Sequence, residues 1–434
     1  MNDVVPKRLE PVKRVGYLEL LRGNRNFRQL WLGQVVSQMG DWFNTIALYS
    51  IVLTLTGSGR AVGLVLVARF LPTVFAGPFA GVIADRYSRR TIMIVSDLLR
   101  AVVVLGFLFI HRPDQVWLIY VLTVTQLVFS SFFEPARSAA IPSIVEKREL
   151  VTANAIGAVT WSSMLTLGAA IGGLITGAFG TNVAFVLDSV TYLVSAALIA
   201  SVAVPKRPRR PKSKLTISKA LGITDTFEGV NYVIKRPRVF ALLLVKSAWG
   251  LGGGILALLA VFGEKIFPIG GSGATGIGVL YAARGIGTAI GPILSRRFAG
   301  ESQQSMQTAI GISFLLGGVF YILFGVSTNF ALALVMLVIA HAGGSTLWVN
   351  STVLLQGVVE DNFRGRVFAA DFALLTLTMA VSNYVTGEML DRIGFSPRAV
   401  TVGIGILFLL PAALWFLTQR WWNDQEKHAD CFVV

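Results

Sequence analysis

The chain has one cysteine, Cys431, and three histidines in 434 residues, so neither a disulfide framework nor a Cys/His metal site can be assembled. Charge is also scarce, with 14% of residues Asp, Glu, Lys or Arg against about 25% in a soluble domain. An ordinary soluble protein is thereby excluded. No G-x-x-x-x-G-K-S/T phosphate loop is present. The glycine-rich run Gly250-Leu251-Gly252-Gly253-Gly254 lies inside an apolar stretch with no Lys-Ser pair after it, and predicts a close-packing or bending site instead. Metal, thiol and ATP chemistry have no visible machinery and no cofactor is expected, so energy has to come from an ion gradient or from the substrate's own. The polar start of the chain lacks a short apolar run followed by a small-residue cleavage site, and no removable signal peptide is expected.

What the sequence does have is apolar length: 54% of residues are hydrophobic and the mean hydropathy is +0.67. Runs able to cross about 30 Å of hydrocarbon at 1.5 Å per residue fall at 29–56, 61–85, 91–111, 116–138, 152–177 and 182–204, then at 239–263, 272–295, 306–326, 329–355, 366–389 and 396–419. These predict an all-α integral membrane protein of twelve transmembrane helices in two six-helix halves, 29–204 and 239–420. A basic N-terminal segment (1–28), a linker (205–238) and a tail (421–434) flank and join them. The linker stretch Ile217 to Ile234 is amphipathic and too polar to span.

A net charge of +15 raises the question of nucleic acid. Most of the 38 Lys and Arg, however, sit in alternate connections: the N-terminal segment, the 2–3 and 4–5 loops, the linker, the 8–9 and 10–11 loops and the C-terminal tail. The intervening loops hold only Arg60, Arg112, Lys265, Arg392 and Arg398. The bias predicts a multi-pass protein with both termini cytoplasmic and membrane lipids as its surroundings, and it accounts for the cations without nucleic acid.

Ionisable groups inside spans are costly and each is a functional candidate. Asp41 falls near the middle of span 1, where a desolvated carboxylate can load and release a proton; its alternative is a cap or a fixed pair beside Gly40. Gln34, Gln38 and Asp41 follow at steps of four and three and share one helical face, so water or substrate is expected along it. With Asn44, Gln126, Trp161, Trp348, Asn350 and the deep cations Arg69 and Arg284 they make the candidate substrate cavity. Glu134 and Arg137 stand three apart at the end of span 4, where a gate latch or a proton relay would use the same residue types. Asp97 and Arg100 share that spacing in span 3 and are expected to pair structurally. His341 in span 10 is a further proton candidate or a hydrogen-bonded structural element. Asp371 is a gate candidate with Arg364 or Arg366 within reach, while the partners of Asp188 and Lys246 are not readable.

After span 2 the chain reads Gly81-Val82-Ile83-Ala84-Asp85-Arg86-Tyr87-Ser88-Arg89-Arg90, a carboxylate and three guanidinium groups in a short turn, able to latch one state and release in another. The pattern resembles the G-x-x-x-D-R-x-x-R-R signature of the major facilitator superfamily, and Gly291-Pro292-Ile293-Leu294-Ser295-Arg296-Arg297 repeats it after span 8 with Ser295 in the acid's place. Gly40-Asp41, Arg69-Phe70-Leu71-Pro72, Phe133-Glu134-Pro135-Ala136-Arg137 and Asp188-Ser189-Val190-Thr191-Tyr192 resemble the branch containing bacterial macrolide and tetracycline-type efflux pumps and the enterobactin exporter. Span 5 holds Gly168-Ala169-Ala170-Ile171-Gly172-Gly173, similar to the antiporter motif G-P-x-x-G-G but with Ala169 for the proline.

The resemblance implies the major facilitator fold, a monomer in a bacterial inner membrane, and gating by Gly81, Asp85, Arg86, Arg89 and Arg90. It implies a non-enzymatic, proton-coupled exporter of amphipathic small molecules, for which the depth and chemistry of Asp41, Glu134 and His341 make them the candidate proton carriers. A siderophore exporter or lysophospholipid translocase is the alternative, which Arg69 and Arg284 would serve.

Overall fold

The computed structural model describes residues 15–204, 231–270, 273–299 and 302–430, and at 73–74, 77–82, 84–86, 298–299, 362 and 420–430 the backbone alone. The described residues form helices and no strands. This is the structure expected where no water is at hand to satisfy backbone N–H and C=O groups. In chain order the helices are α1 (Tyr17–Gly23), α2 (Arg25–Thr56), α3 (Gly59–Arg86), α4 (Arg89–Leu105), α5 (Val116–Ile144), α6 (Leu150–Phe179) and α7 (Thr181–Ala200). They continue as α8 (Pro237–Gly250), α9 (Ile255–Val261), α10 (Ala274–Ala299), α11 (Gln303–Val326), α12 (Phe330–Val358), α13 (Asp361–Asp391) and α14 (Pro397–Asp430).

Short polar residues punctuate the helices as capping chemistry requires. Asn24 accepts from the Phe27 amide at 3.0 Å, Ser58 from Ala61 at 3.0 Å and Asn329 from Leu332 at 3.0 Å. Gly57 closes α2 at φ 63°, in the left-handed region that a side chain would resist. The run Gly250 to Gly254 bends the seventh span as expected: α8 stops at Gly250 and α9 starts at Ile255. The Gly254 amide freed by the break donates to Ser382 Oγ at 2.9 Å.

Ten helical stretches, among the described residues, are long and apolar enough to cross a membrane. The helix α2, at 32 residues, is as long as any of them but carries the polar stripe of Gln34, Gln38, Asp41 and Asn44. Large apolar side chains such as Val102, Phe109, Leu174, Phe179, Ile293 and Leu417 are exposed on the outside of the bundle, a surface suited to lipid rather than water.

The two sets of six repeat one packing plan. The contacts α2–α6, α3–α5, α4–α5 and α4–α7 recur as α8–α13, α10–α12, α11–α12 and α11–α14, and the sets meet through α3 with α13 and α6 with α10. The predicted linker helix Ile217 to Ile234 lies mostly outside the described residues. Its last turn docks onto α13, with Tyr232 stacked 4.2 Å from Phe363 and Arg236 paired to Glu360 at 2.6 Å.

The halves are sealed at the end where α2 stops and α3 begins. A Cβ on Gly173 would lie 2.7 Å from Gly278 Cα, and one on Gly63 would lie 2.6 Å from the Asn383 carbonyl oxygen, so both crossings have backbone touching backbone. Around them Arg60 pairs with Glu388 at 2.7 Å. Asp391 accepts from the amides of Gly59 at 3.2 Å and Arg60 at 3.0 Å. That carboxylate caps α3 from the opposite half, where the helix dipole favours negative charge.

Candidate functional site

Away from the seal, α2, α5 and α6 enclose a cavity of about 460 Å³ lined by Gln34, Gln38, Glu134, Arg137, Ser138, Asn154 and Trp161, with Ile141, Ala153, Gly157 and Ala158. Five of the residues predicted from sequence thus meet in one space. The predicted pair forms, Arg137 donating to Glu134 at 2.9 Å, and the same guanidinium reaches Gln34 Oε1 at 2.9 Å. A charge pair two to three turns before the end of α5 is in this way tied to the cavity-facing stripe of α2. Trp161 projects into the space half-exposed.

One turn further along that stripe stands Asp41, midway along α2 and partly exposed. The Tyr192 hydroxyl donates to its carboxylate. Gln126 Nε2 donates to the Tyr192 oxygen at 2.9 Å, and Asn44 Nδ2 to Gln126 Oε1 at 3.1 Å. Behind them Arg100 pairs with Asp97, as their spacing predicts, and lays its guanidinium 4.3 Å from the Tyr192 ring centroid. Asp188 completes the cluster, buried on α7 within electrostatic reach of Asp41 and Arg100. The approach of α2 to α7 depends on Gly40, where a Cβ would lie 2.5 Å from Asp188 Oδ1.

Three carboxylates therefore lie around one guanidinium, and Asp41 alone among them is partly exposed, one turn beyond the cavity-lining Gln38. Asn44 and Gln126, expected to line open space, are instead fully buried and hold Tyr192 against Asp41. Both ends of the Gln126 amide and the Asn44 Nδ2 are taken up within the network, while Asn44 Oδ1 is buried without a hydrogen-bond partner. Tyr192 is a member of this cluster that the sequence shows only as the last residue of a motif. Its spacing of four from Asp188, on one helical face, is the signal that points to its role.

In the second half Lys246 of α8 pairs with Asp371 of α13 at 2.5 Å, both side chains buried, and Trp348 lies 5.0 Å from the ammonium. This corrects the expected partner of Asp371, since Arg364 binds Asp361 at 2.8 Å. Asp371 sits deep enough to be desolvated, and only Lys246 offers a charge there. Removing one partner of a buried pair costs about 3–5 kcal/mol, whereas replacing both with apolar groups is often neutral. Lys246→Met alone is therefore expected to lower the melting temperature sharply and Lys246→Met with Asp371→Leu to restore it, as measured by thermal unfolding in detergent.

His341 is buried, with Nδ1 3.1 Å from the Leu337 carbonyl oxygen and Nε2 3.4 Å from the Tyr321 hydroxyl, inside the second half and apart from the acid cluster. Asn350 corrects another cavity expectation: it is buried and donates to Ser295 Oγ at 3.2 Å, joining α12 to α10. Arg89 donates to the Ala139 carbonyl at 2.5 Å and to Ser143 Oγ at 2.9 Å, and Arg90 to the Ala200 carbonyl. Both thus fasten α4 to neighbours within its own half. The side chains of Gly81, Asp85 and Arg86 lie outside the described residues. Arg69 and Arg284 are partly exposed at the junction of the halves, and both their charges act on the Tyr281 hydroxyl.

The family model described as Major Facilitator Superfamily matches residues 30–374. Macrolide efflux protein A of Streptococcus pyogenes is 23% identical over 372 residues, covering 85% of this chain and 90% of that protein. The MFS-type transporter YfiS of Bacillus subtilis, itself uncharacterized, is 23% identical over 403 residues, covering 90% and 94%. Among solved structures, a bacterial homolog of the human lysosomal transporter Spinster, inward-facing and occupied, superposes with a TM-score of 0.71 at 16% identity, covering 91% of this chain and 96% of that one.

Proposed function

The chain belongs to the Major Facilitator Superfamily, and from that premise we propose that it exports amphipathic small molecules across a bacterial inner membrane in exchange for protons. That it is a non-enzymatic membrane transporter follows from the family. Exchange with protons is the reading carried by one observation, the surplus of carboxylates over guanidinium around Asp41. Excess negative charge out of water is expensive, so the cluster needs a proton or another cation to balance it. A position that must be filled by one or the other is an exchange site.

In this reading the basic connections and both termini face the cytoplasm, the sealed end faces outward, and the cavity at Trp161 admits substrate from inside. Outward release requires the Arg60–Glu388 pair and the Asp391 cap on α3 to part, while the Glu134–Arg137 latch closes the opposite side. The monomer is sufficient, since cavity and acids belong to one chain.

The test is proton movement in sealed vesicles containing the pure protein, energised by an imposed pH gradient. Lipophilic cations, macrolides, catecholate siderophores and lysophospholipids are added one at a time. One class is expected to dissipate the gradient. Labelled substrate that crosses with no proton movement would overturn proton coupling.

A further inference from the structure

The ionisable groups inside the bundle balance in number but not in place. Asp41, Asp97 and Asp188 share Arg100 in the first half, Lys246 and Asp371 neutralise each other in the second, and Arg69 and Arg284 make no ion pair with any described carboxylate. Arg284 Nε is moreover buried without a hydrogen-bond partner. The two guanidinium groups come from opposite halves yet stand level. Each follows the first residue of its helix, Gly59 or Ala274, by ten positions, which places both about 15 Å from the sealed end. Asp41 lies fifteen positions before the end of α2, about 22 Å from the same end and so about 7 Å nearer the cavity mouth. Trp42, beside Asp41, is 5.9 Å from the Tyr281 centroid, and Tyr49 is 5.7 Å from it, the two buried tyrosine rings lying on the sealed side of the arginines.

From the cavity side inward come an uncompensated acid, the partly exposed Trp42 ring beside it and then an uncompensated positive pair. A purely anionic substrate held by the guanidinium groups would attract protons to the acid cluster, and substrate and proton would travel together. A purely cationic one would displace the proton but leave the two guanidinium groups unmatched. Exchange with both charges matched needs a molecule carrying both signs. Resting on the exporter reading above, we infer that the substrate is an amphipathic zwitterion. Its carboxylate or phosphate is held between Arg69 and Arg284, and its cationic group takes the proton's place at Asp41.

The test uses three tritiated probes that differ only in charge: phenylalanyl-phenylalanine, its N-acetyl derivative lacking the cation, and its C-terminal amide lacking the anion. Equilibrium binding to the purified protein in lipid nanodiscs is expected to favour the zwitterion by tenfold or more over either derivative. Arg284→Gln should bring its affinity down to that of the amide, and Asp41→Asn to that of the N-acetyl derivative. Arg69→Gln serves as the independent second variant for the anionic end. An amide that binds as tightly as the zwitterion, or an order unchanged in both arginine variants, overturns the inference. Gradient-driven movement separates it from the exporter reading. Uptake of the amide with no preference for the zwitterion defeats the inference alone, whereas the expected binding order without any gradient-driven movement defeats the exporter reading alone.

Discussion

Asp41→Asn is expected to reduce gradient-driven transport to the level of empty vesicles while leaving expression and folding intact. Asparagine keeps the shape of the side chain and an oxygen that accepts from the Tyr192 hydroxyl, so the chain of hydrogen bonds through Gln126 and Asn44 survives. What is lost is the site's charge cycle. Asp97 and Asp188 are fully buried and Arg100 lies against them, so neither acid can take over exchange with the cavity without opening the α2–α7 contact at Gly40. Transport that stays proton-driven in this variant, measured by substrate accumulation against an imposed pH gradient, would remove Asp41 from the coupling role.

Much of this architecture is legible in the amino-acid sequence. Periodic apolar length alone gives the helices, and steps of four and three along α2 place Gln34, Gln38 and Asp41 on one helical face, of which the first two line the cavity. Pairs within one helix, Asp97 with Arg100 and Glu134 with Arg137, follow from the geometry of a turn. Pairs between helices do not. Lys246 and Asp371 are 125 positions apart, and only the tertiary path of α8 beside α13 brings them together.

The same limit explains Asn44, Gln126 and Asn350. A polar residue in an apolar span announces that it needs a partner, but the sequence cannot say whether that partner is a ligand, water or another side chain. The structure supplies a side chain in each case. It also shows why the glycines of Gly168-Ala169-Ala170-Ile171-Gly172-Gly173 stand where they do. Gly168 and Gly172 admit Trp42 and Phe43 of α2, and Gly173 admits α10. The motif thus joins the helix bearing Asp41 to the opposite half.

That junction gives the second large effect, Gly278→Val. A Cβ at position 278 would lie 2.6 Å from the Ala169 carbonyl oxygen and 2.7 Å from Gly173 Cα. Neither neighbour is a flexible side chain able to move aside. Overpacking costs typically about 1–3 kcal/mol. Here it falls on the sealed conformation, because a conformation with α6 and α10 apart has room for the branched side chain. A differential of that size shifts the equilibrium between sealed and open forms by about 5- to 150-fold. The variant is expected to fold, to populate the form open at the Arg60 end, and to lose more than about nine-tenths of its turnover, since exchange needs both forms in alternation. Spin labels at the exposed positions Thr54 and Ile393, on either side of the seal, should report a longer mean distance in Gly278→Val than in the parent, each in lipid nanodiscs. An unchanged distance with normal transport would mean that the halves do not part at this crossing, and that the opening motion runs through α3 and α13 alone.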